Sequence, residues 1–123
     1  MRFYWYMPEG LKPHFRQELS AYKAEFAKGN LSAAWRHLER AHILGQPWPR
    51  EHNQVHWLML KFGIHIKNSR EIRGQLTRLL LGGVFSFFGK APVGNTGGAN
   101  VPPLQPMEIP DDLARLLNKY KSS

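Results

Sequence analysis

Three of the six histidines in this 123-residue chain are spaced so that they could share one metal ion. His52 and His56 are four residues apart, which on a helix puts both imidazoles on one side, one turn apart. That separation lets two ring nitrogens reach a common ion at about 2.0–2.1 Å. His42 precedes them, and Glu39-Arg40-Ala41-His42 has the Glu-x-x-His spacing by which helical bundles project a carboxylate and an imidazole the same way. Three imidazoles and a carboxylate suit Zn²⁺, or Fe²⁺ or Mn²⁺ with more oxygen ligands. Met59, one turn beyond His56, would favour copper if its sulfur reached the ion. The plainer alternative is a set of core histidines that satisfy one another, Glu39, or carbonyls at the helix ends. Leaving them unsatisfied would cost about 1–3 kcal/mol for each buried group. Neither alternative assigns a catalytic step, so whether the chain is an enzyme stays open.

Two further sets could support such a site. Glu71, Gln75 and Arg78 lie one turn apart in succession, and Glu71 or Gln75 could be a ligand or could orient a histidine. The simpler expectation is that they form an exposed polar face. Gly94-Asn95-Thr96-Gly97-Gly98-Ala99-Asn100 is rich in residues whose backbone N–H groups can converge on an anion. It lacks the Gly-Lys-Ser/Thr ending of a phosphate-binding loop and follows no strand, so a tight turn is the simpler reading. Over a histidine site it would act as a lid, with Asn95, Thr96 and Asn100 supplying hydrogen bonds. His14, His37 and His65 are expected at the surface, although His14 and Glu18 share a helix face. No serine sits in a nucleophile-elbow pattern.

The elements that must position these residues are helices. Leu11, Phe15, Leu19, Tyr22 and Phe26 form one apolar stripe, predicting a helix over 11–28 that Gly29-Asn30 ends. Asn30 is expected to cap a second helix over 31–44, with Leu31, Ala34, Trp35, Leu38, Ala41 and His42 on one face. Gly45-Gln46-Pro47-Trp48-Pro49 breaks it. A third helix spans about 50–66, where Val55, Met59, Phe62 and Ile66 share a face with His52 and His56. The short break makes the second and third helices antiparallel neighbours, bringing His42 towards His52 and His56. After a turn and cap at Asn68-Ser69, a fourth helix begins near Arg70, carries Ile72, Leu76, Leu79 and Leu80, and weakens at Gly82-Gly83. Residues 89–110 read as an irregular Gly/Pro-rich segment, pinned by Val93, Val101, Leu104, Met107 and Ile109. A short helix over 111–120 follows, with Asp111 and Asp112 at its positive end. The fold class is all-α: a four-helix array of two helical hairpins, then the irregular segment and the short C-terminal helix. We expect one domain over 1–123, with an N-terminal arm (1–10), a helical core (11–88), the loop (89–110) and a C-terminal helix and tail (111–123).

Composition narrows the function classes. The chain has no cysteine, which removes disulfides, thiolate ligands and a cysteine nucleophile, and fits a cytoplasmic, reducing setting. Its 17 basic and 9 acidic residues give a net charge of +8, but the positive residues are scattered without a run of five. This disfavours a dedicated nucleic-acid surface, which would in any case bind with steep salt dependence. The most apolar window, Leu79 to Phe88, is about half the roughly 20 residues a membrane span needs, so no membrane span is expected.

Residues 22–49, YKAEFAKGNLSAAWRHLERAHILGQPWP, resemble a tetratricopeptide unit: an aromatic in the first helix, a Gly-Asn turn, Ala-x-x-x-Leu-x-x-Ala in the second, and a following proline. No second copy with that spacing is evident. More broadly, HLERAHILGQ (37–46), His52 and His56 followed by WLML, EIRGQLTR (71–78) and PVGNTGGANV (92–101) followed by Pro106-Met107 resemble a family of short bacterial proteins grouped as a domain of unknown function. That resemblance covers nearly the whole chain. It implies that the second helix, the His52/His56 pair and the Gly-Asn loop are the characteristic parts, and it supplies no activity. Two functions follow as expectations. One is a metal-binding protein holding zinc, iron or copper, with a metal-dependent enzyme as its extension. The other is a tetratricopeptide-like interaction module for a protein partner or small ligand, with Phe3, Tyr4, Trp5 and Tyr6 covering a groove or forming a homodimer contact.

Overall fold

The computed structural model describes residues 6–87, 97–99 and 107–120, with the side chains of 80–87 excepted. Among the described residues there are five helices and no strand: α1 (Lys12–Ala27), α2 (Leu31–Gly45), α3 (Pro49–His65), α4 (Ser69–Phe87) and α5 (Asp111–Tyr120). The first three agree with the periodicity to within one or two residues at each end. The main helix pairings are α1 with α2 and α3 with α4, two hairpins joined through a smaller α2–α3 contact, and α5 lies against α2.

The core forms where the apolar stripes meet. Leu11, Phe15, Leu19 and Tyr22 from α1 and its cap pack with Ala34, Leu38, Ala41 and Leu44 from α2, and with Val55, Met59 and Phe62 from α3. Leu113 anchors α5 in the same cluster, and Ile109 packs against it from the preceding segment. Burying a side chain of this size contributes about 1.5–3 kcal/mol. An ion-pair chain also ties three helices together on the outside. Glu18 of α1 accepts hydrogen bonds from His37 Nδ1 at 2.8 Å and Arg40 Nε at 3.0 Å, and Arg40 also pairs with Asp112 of α5. His37, expected at the surface, is therefore partly buried in a contact between helices.

The turns explain the hairpins. α1 ends in two interlocked bonds, Gly29 N–H to Phe26 O at 3.0 Å and Asn30 N–H to Glu25 O at 2.9 Å, with Gly29 at φ +81°. Asn30 holds the cap position of α2, but its side chain bonds Glu25 Oε1 rather than a helix N–H, contrary to the expected cap. The α2–α3 break is three residues long, and Trp48, just before Pro49, is extended, the conformation that a following proline favours. The Asn68 cap is present: its Oδ1 accepts from Glu71 N–H at 3.0 Å.

Four expectations about the helices are corrected. α4 does not weaken at Gly82-Gly83 but continues to Phe87; one turn of unfavourable propensity is small against a whole helix. Leu76, placed on the apolar stripe of α4, is about half exposed. The buried face of α4 runs instead through Glu71, Gln75 and Arg78, against the simpler expectation of an exposed polar face and in line with the alternative in which Glu71 or Gln75 orients a histidine. Ile66, placed on the inner face of α3, is exposed beyond the helix end. Phe3, Tyr4, Trp5, Val93, Val101 and Leu104 lie outside the described residues, as does the side chain of Leu80.

α3 ends with the same pair of bonds as α1, Lys67 N–H to Ile64 O and Asn68 N–H to Gly63 O, but here the left-handed position (φ 57°) is filled by Lys67. A side chain costs about 1–2 kcal/mol in that conformation. Lys67→Gly should therefore stabilise the fold by about 1 kcal/mol, partly offset by the added freedom of glycine in the unfolded chain. Urea denaturation checks this, and a lower midpoint for the variant would contradict it.

Candidate metal centre

The three-residue turn returns the chain so that the last turn of α2 faces the first two turns of α3. Gly45 permits the approach: a Cβ there would come within 2.9 Å of Phe15 Cε1 and 3.0 Å of Glu51 Cβ. His42 from α2 and His52 and His56 from α3 converge at this end of the hairpin, 1%, 5% and 2% exposed. Among the described residues these three form a group whose donor atoms all lie within 4.8 Å of one another.

The Nε2 atoms make a nearly equilateral triangle, with His42–His56 at 3.0 Å, His52–His56 at 3.0 Å and His42–His52 at 3.1 Å. The rings are mutually tilted by 59–73°, like blades around that point. Three such nitrogens cannot satisfy one another. Each Nε2 carries either a proton or a lone pair, so at least one edge of the triangle sets like against like in any protonation state. Three lone pairs facing one cation remove the conflict. His42, His52 and His56 would hold such an ion, since nitrogens at these separations can all reach one centre at the usual metal–imidazole distance of about 2.0–2.1 Å.

The lone pair of His56 is fixed by its neighbours. Its Nδ1 lies 2.5 Å from Gln75 Oε1. The amide nitrogen of Gln75 donates to Glu71 Oε2 at 2.5 Å and to Gly97 O at 2.8 Å, both acceptors. The carbonyl of Gln75 must therefore be the end facing His56, so Nδ1 carries the proton and Nε2 presents its lone pair to the triangle. This is the outer bond by which metal-binding histidines are usually oriented. Burial above all, then the charge of His52, pushes the His56 pKa down to about 3; Arg78 acts the same way and the Gln75 bond opposes them. His56 is thus neutral, as a ligand must be.

Gly97 lies against the His42 ring. A Cβ there would fall 2.5 Å from His42 Cδ2 and 2.8 Å from its Nε2, and φ is +87°. The neighbouring Ala99 N–H donates to the Glu71 carboxylate at 3.1–3.2 Å. The Gly-rich string thus touches the histidines through its backbone, while Asn95, Thr96 and Asn100, the expected hydrogen-bonding residues, lie outside the described residues. Glycine at 97 was the available signal, but one glycine among several in the string did not single itself out.

Other candidates are placed differently. Glu39 is not in the converging group: its carboxylate accepts from Trp35 Nε1 at 3.1 Å, and burial raises its pKa. The Glu-x-x-His spacing puts it a turn behind His42, on the side where Trp35 also lies. Met59 is fully buried within the apolar cluster. Arg78 donates to Gly74 O at 3.1 Å, and burial lowers its pKa while the charge of Glu71 raises it. His65 is exposed and its ring approaches Phe26; His14 is partly exposed and its ring approaches Tyr120.

A family model described as a protein of unknown function, DUF3703, matches residues 9–117. The chain belongs to this family. The match takes in all three histidines, Gln75 and Gly97. No curated protein matches the chain, and no solved structure matches it. The family description assigns no chemistry, so the geometry alone supplies the functional reading. No helix among the described residues is long and apolar enough to cross a membrane.

Two outcomes follow from the geometry. An unfolded histidine takes up its proton near pH 6.5, whereas His56 in the fold does so only near about 3. Between those values the unfolded chain binds more protons, so the metal-free fold loses stability as pH falls through that window. Urea midpoints at pH 7 and pH 4.5 should show the loss, and His56→Leu should reduce it; an equal loss in both proteins would remove His56 as its source. Gly97→Ala combines a left-handed backbone with a clash on His42, and should cost about 1–3 kcal/mol by thermal denaturation. An unchanged melting temperature would mean that Gly97 does not hold this position.

Proposed function

We propose that this DUF3703 protein binds one divalent transition metal through the Nε2 atoms of His42, His52 and His56. The observation that carries the reading is the triangle of 3.0–3.1 Å edges, which mutual hydrogen bonding cannot satisfy. Glu71 and Gln75 orient His56 from behind rather than binding the ion themselves. Zinc, iron and copper all accept imidazole donors, and a donor set without thiolate or nearby carboxylate leaves the choice among them to coordination number and supply. Three protein ligands on one side resemble the arrangement in which a metal keeps a position for water or substrate. Metal-dependent catalysis is therefore the natural extension, with no base assigned, since Glu39 is bound to Trp35.

A second reading, the interaction module, draws on Trp57 and Ile64. Both are more than half exposed, and they lie seven residues apart on one side of α3. This face belongs to the second hairpin, not to the tetratricopeptide-like segment of the first, and involves none of the three histidines.

Elemental analysis of the purified chain, followed by titration with zinc, copper(II) and iron(II), separates the two. The metal reading expects one ion per chain, stoichiometry lost in His52→Ala/His56→Ala, and affinity about 10–100-fold weaker in Gln75→Ala. Protein that purifies metal-free and takes up none of the three ions would discard it.

A further inference from the structure

The segment Gly97–Ala99 is held to the histidine cluster by contacts that depend on how the rings are set. Gln75 uses three bonds at once: its carbonyl on His56, and its two amide hydrogens on Glu71 and Gly97 O. Glu71 in turn accepts from Ala99 N–H, and Gly97 presses on the His42 ring. Ala99 also sits so close to α4 that a Cβ on Gly74 would come within 2.5 Å of its own Cβ. The His56 ring therefore carries the segment through Gln75, and the His42 ring carries it by direct contact.

We propose that Gly97–Ala99 is a metal-responsive strap: occupancy of the three-histidine site and docking of this segment on α4 stabilise each other. The inference rests on the metal reading and adds the regulation of that site. Without an ion, the like-against-like edge of the triangle is relieved by turning a ring. Turning His56 breaks its bond to Gln75, and turning His42 removes the surface on which Gly97 rests. With an ion, all three rings are fixed, Gln75 is held, and both the Gln75 amide that donates to Gly97 O and the Glu71 carboxylate that accepts from Ala99 N–H are in place. Coupling of this kind is reciprocal: the factor by which metal favours docking is the factor by which docking favours metal.

The experiment uses the full chain with zinc as the probe, monitoring hydrogen exchange at the Ala99 amide alongside zinc affinity. Zinc should slow exchange at Ala99 by about tenfold or more, within the usual range for linked sites. Gly74→Ala blocks docking sterically and leaves every histidine, Gln75 and Glu71 in place, while alanine favours the helix. It should bind zinc more weakly by a factor comparable to the wild-type protection, and its Ala99 amide should exchange fast with or without zinc. Wild-type protein that binds zinc with Ala99 exchange unchanged would overturn the strap and leave the metal site standing. Wild-type protein that binds no zinc, copper or iron would overturn both. If Gly74→Ala does not fold, the wild-type comparison decides alone.

Discussion

Three imidazole nitrogens held about 3 Å apart, with no way to bond one another in full, are the constraint around which this small fold is arranged. Keeping them there opposes both lone-pair repulsion and the loss of water from three polar rings, and the surrounding structure supplies the force. The turn between α2 and α3 sets the distance. The apolar cluster beneath, from Leu38 and Leu44 to Val55 and Met59, keeps the two helices from separating. On α4, a carboxylate and an amide occupy core positions where an ordinary helix would place leucines. Burying Glu71, Gln75 and Arg78 is costly unless their bonds are met, and those that are observed run to His56, to Gly74 and to the segment Gly97–Ala99.

The two hairpins divide the labour. The first carries the longest run of apolar packing and is tied externally through Glu18, His37, Arg40 and Asp112, a chain that also fastens α5. The second contributes two of the three histidines from α3 and, from α4, the polar groups behind them. His42 is the point where they meet, the single member of the cluster drawn from the first hairpin. This is why the α2–α3 contact, although smaller than the contact within either hairpin, matters most for the chemistry.

Much of this was legible in the residues. Apolar periodicity located α1, α2 and α3 closely, because each has a clean stripe and strong end signals such as Gly29 and Pro49. His42, His52 and His56 were legible as a group because a short turn between two helices leaves little freedom in where their facing ends lie. The inner face of α4 was legible only as the less simple of two alternatives, in which Glu71 or Gln75 orients a histidine. Glu71 and Gln75 look like surface residues by type, and what makes their burial favourable is the partners they meet, His56, Gly97 O and Ala99 N–H, a fact about three dimensions rather than spacing. Glu39 misled for the converse reason: the right interval on a helix does not fix which neighbour a carboxylate turns to, and the Trp35 indole, four residues away, takes it. The contact of Gly97 with His42 joins positions far apart in the chain and has no local signature.

Among the described residues the converging donors are all imidazoles, and that would give a metal site a particular chemical character. Sites that rely on sulfur lose their grip when oxidants convert the ligand, so their occupancy follows the redox state of the surroundings. Nitrogen donors of this kind give oxidants no such target. Protons compete for their lone pairs, and for His56 deep burial pushes that competition towards acid. An ion held by His42, His52 and His56 would have no thiolate ligand for oxidants to convert, and protonation of the rings would be a route to its release.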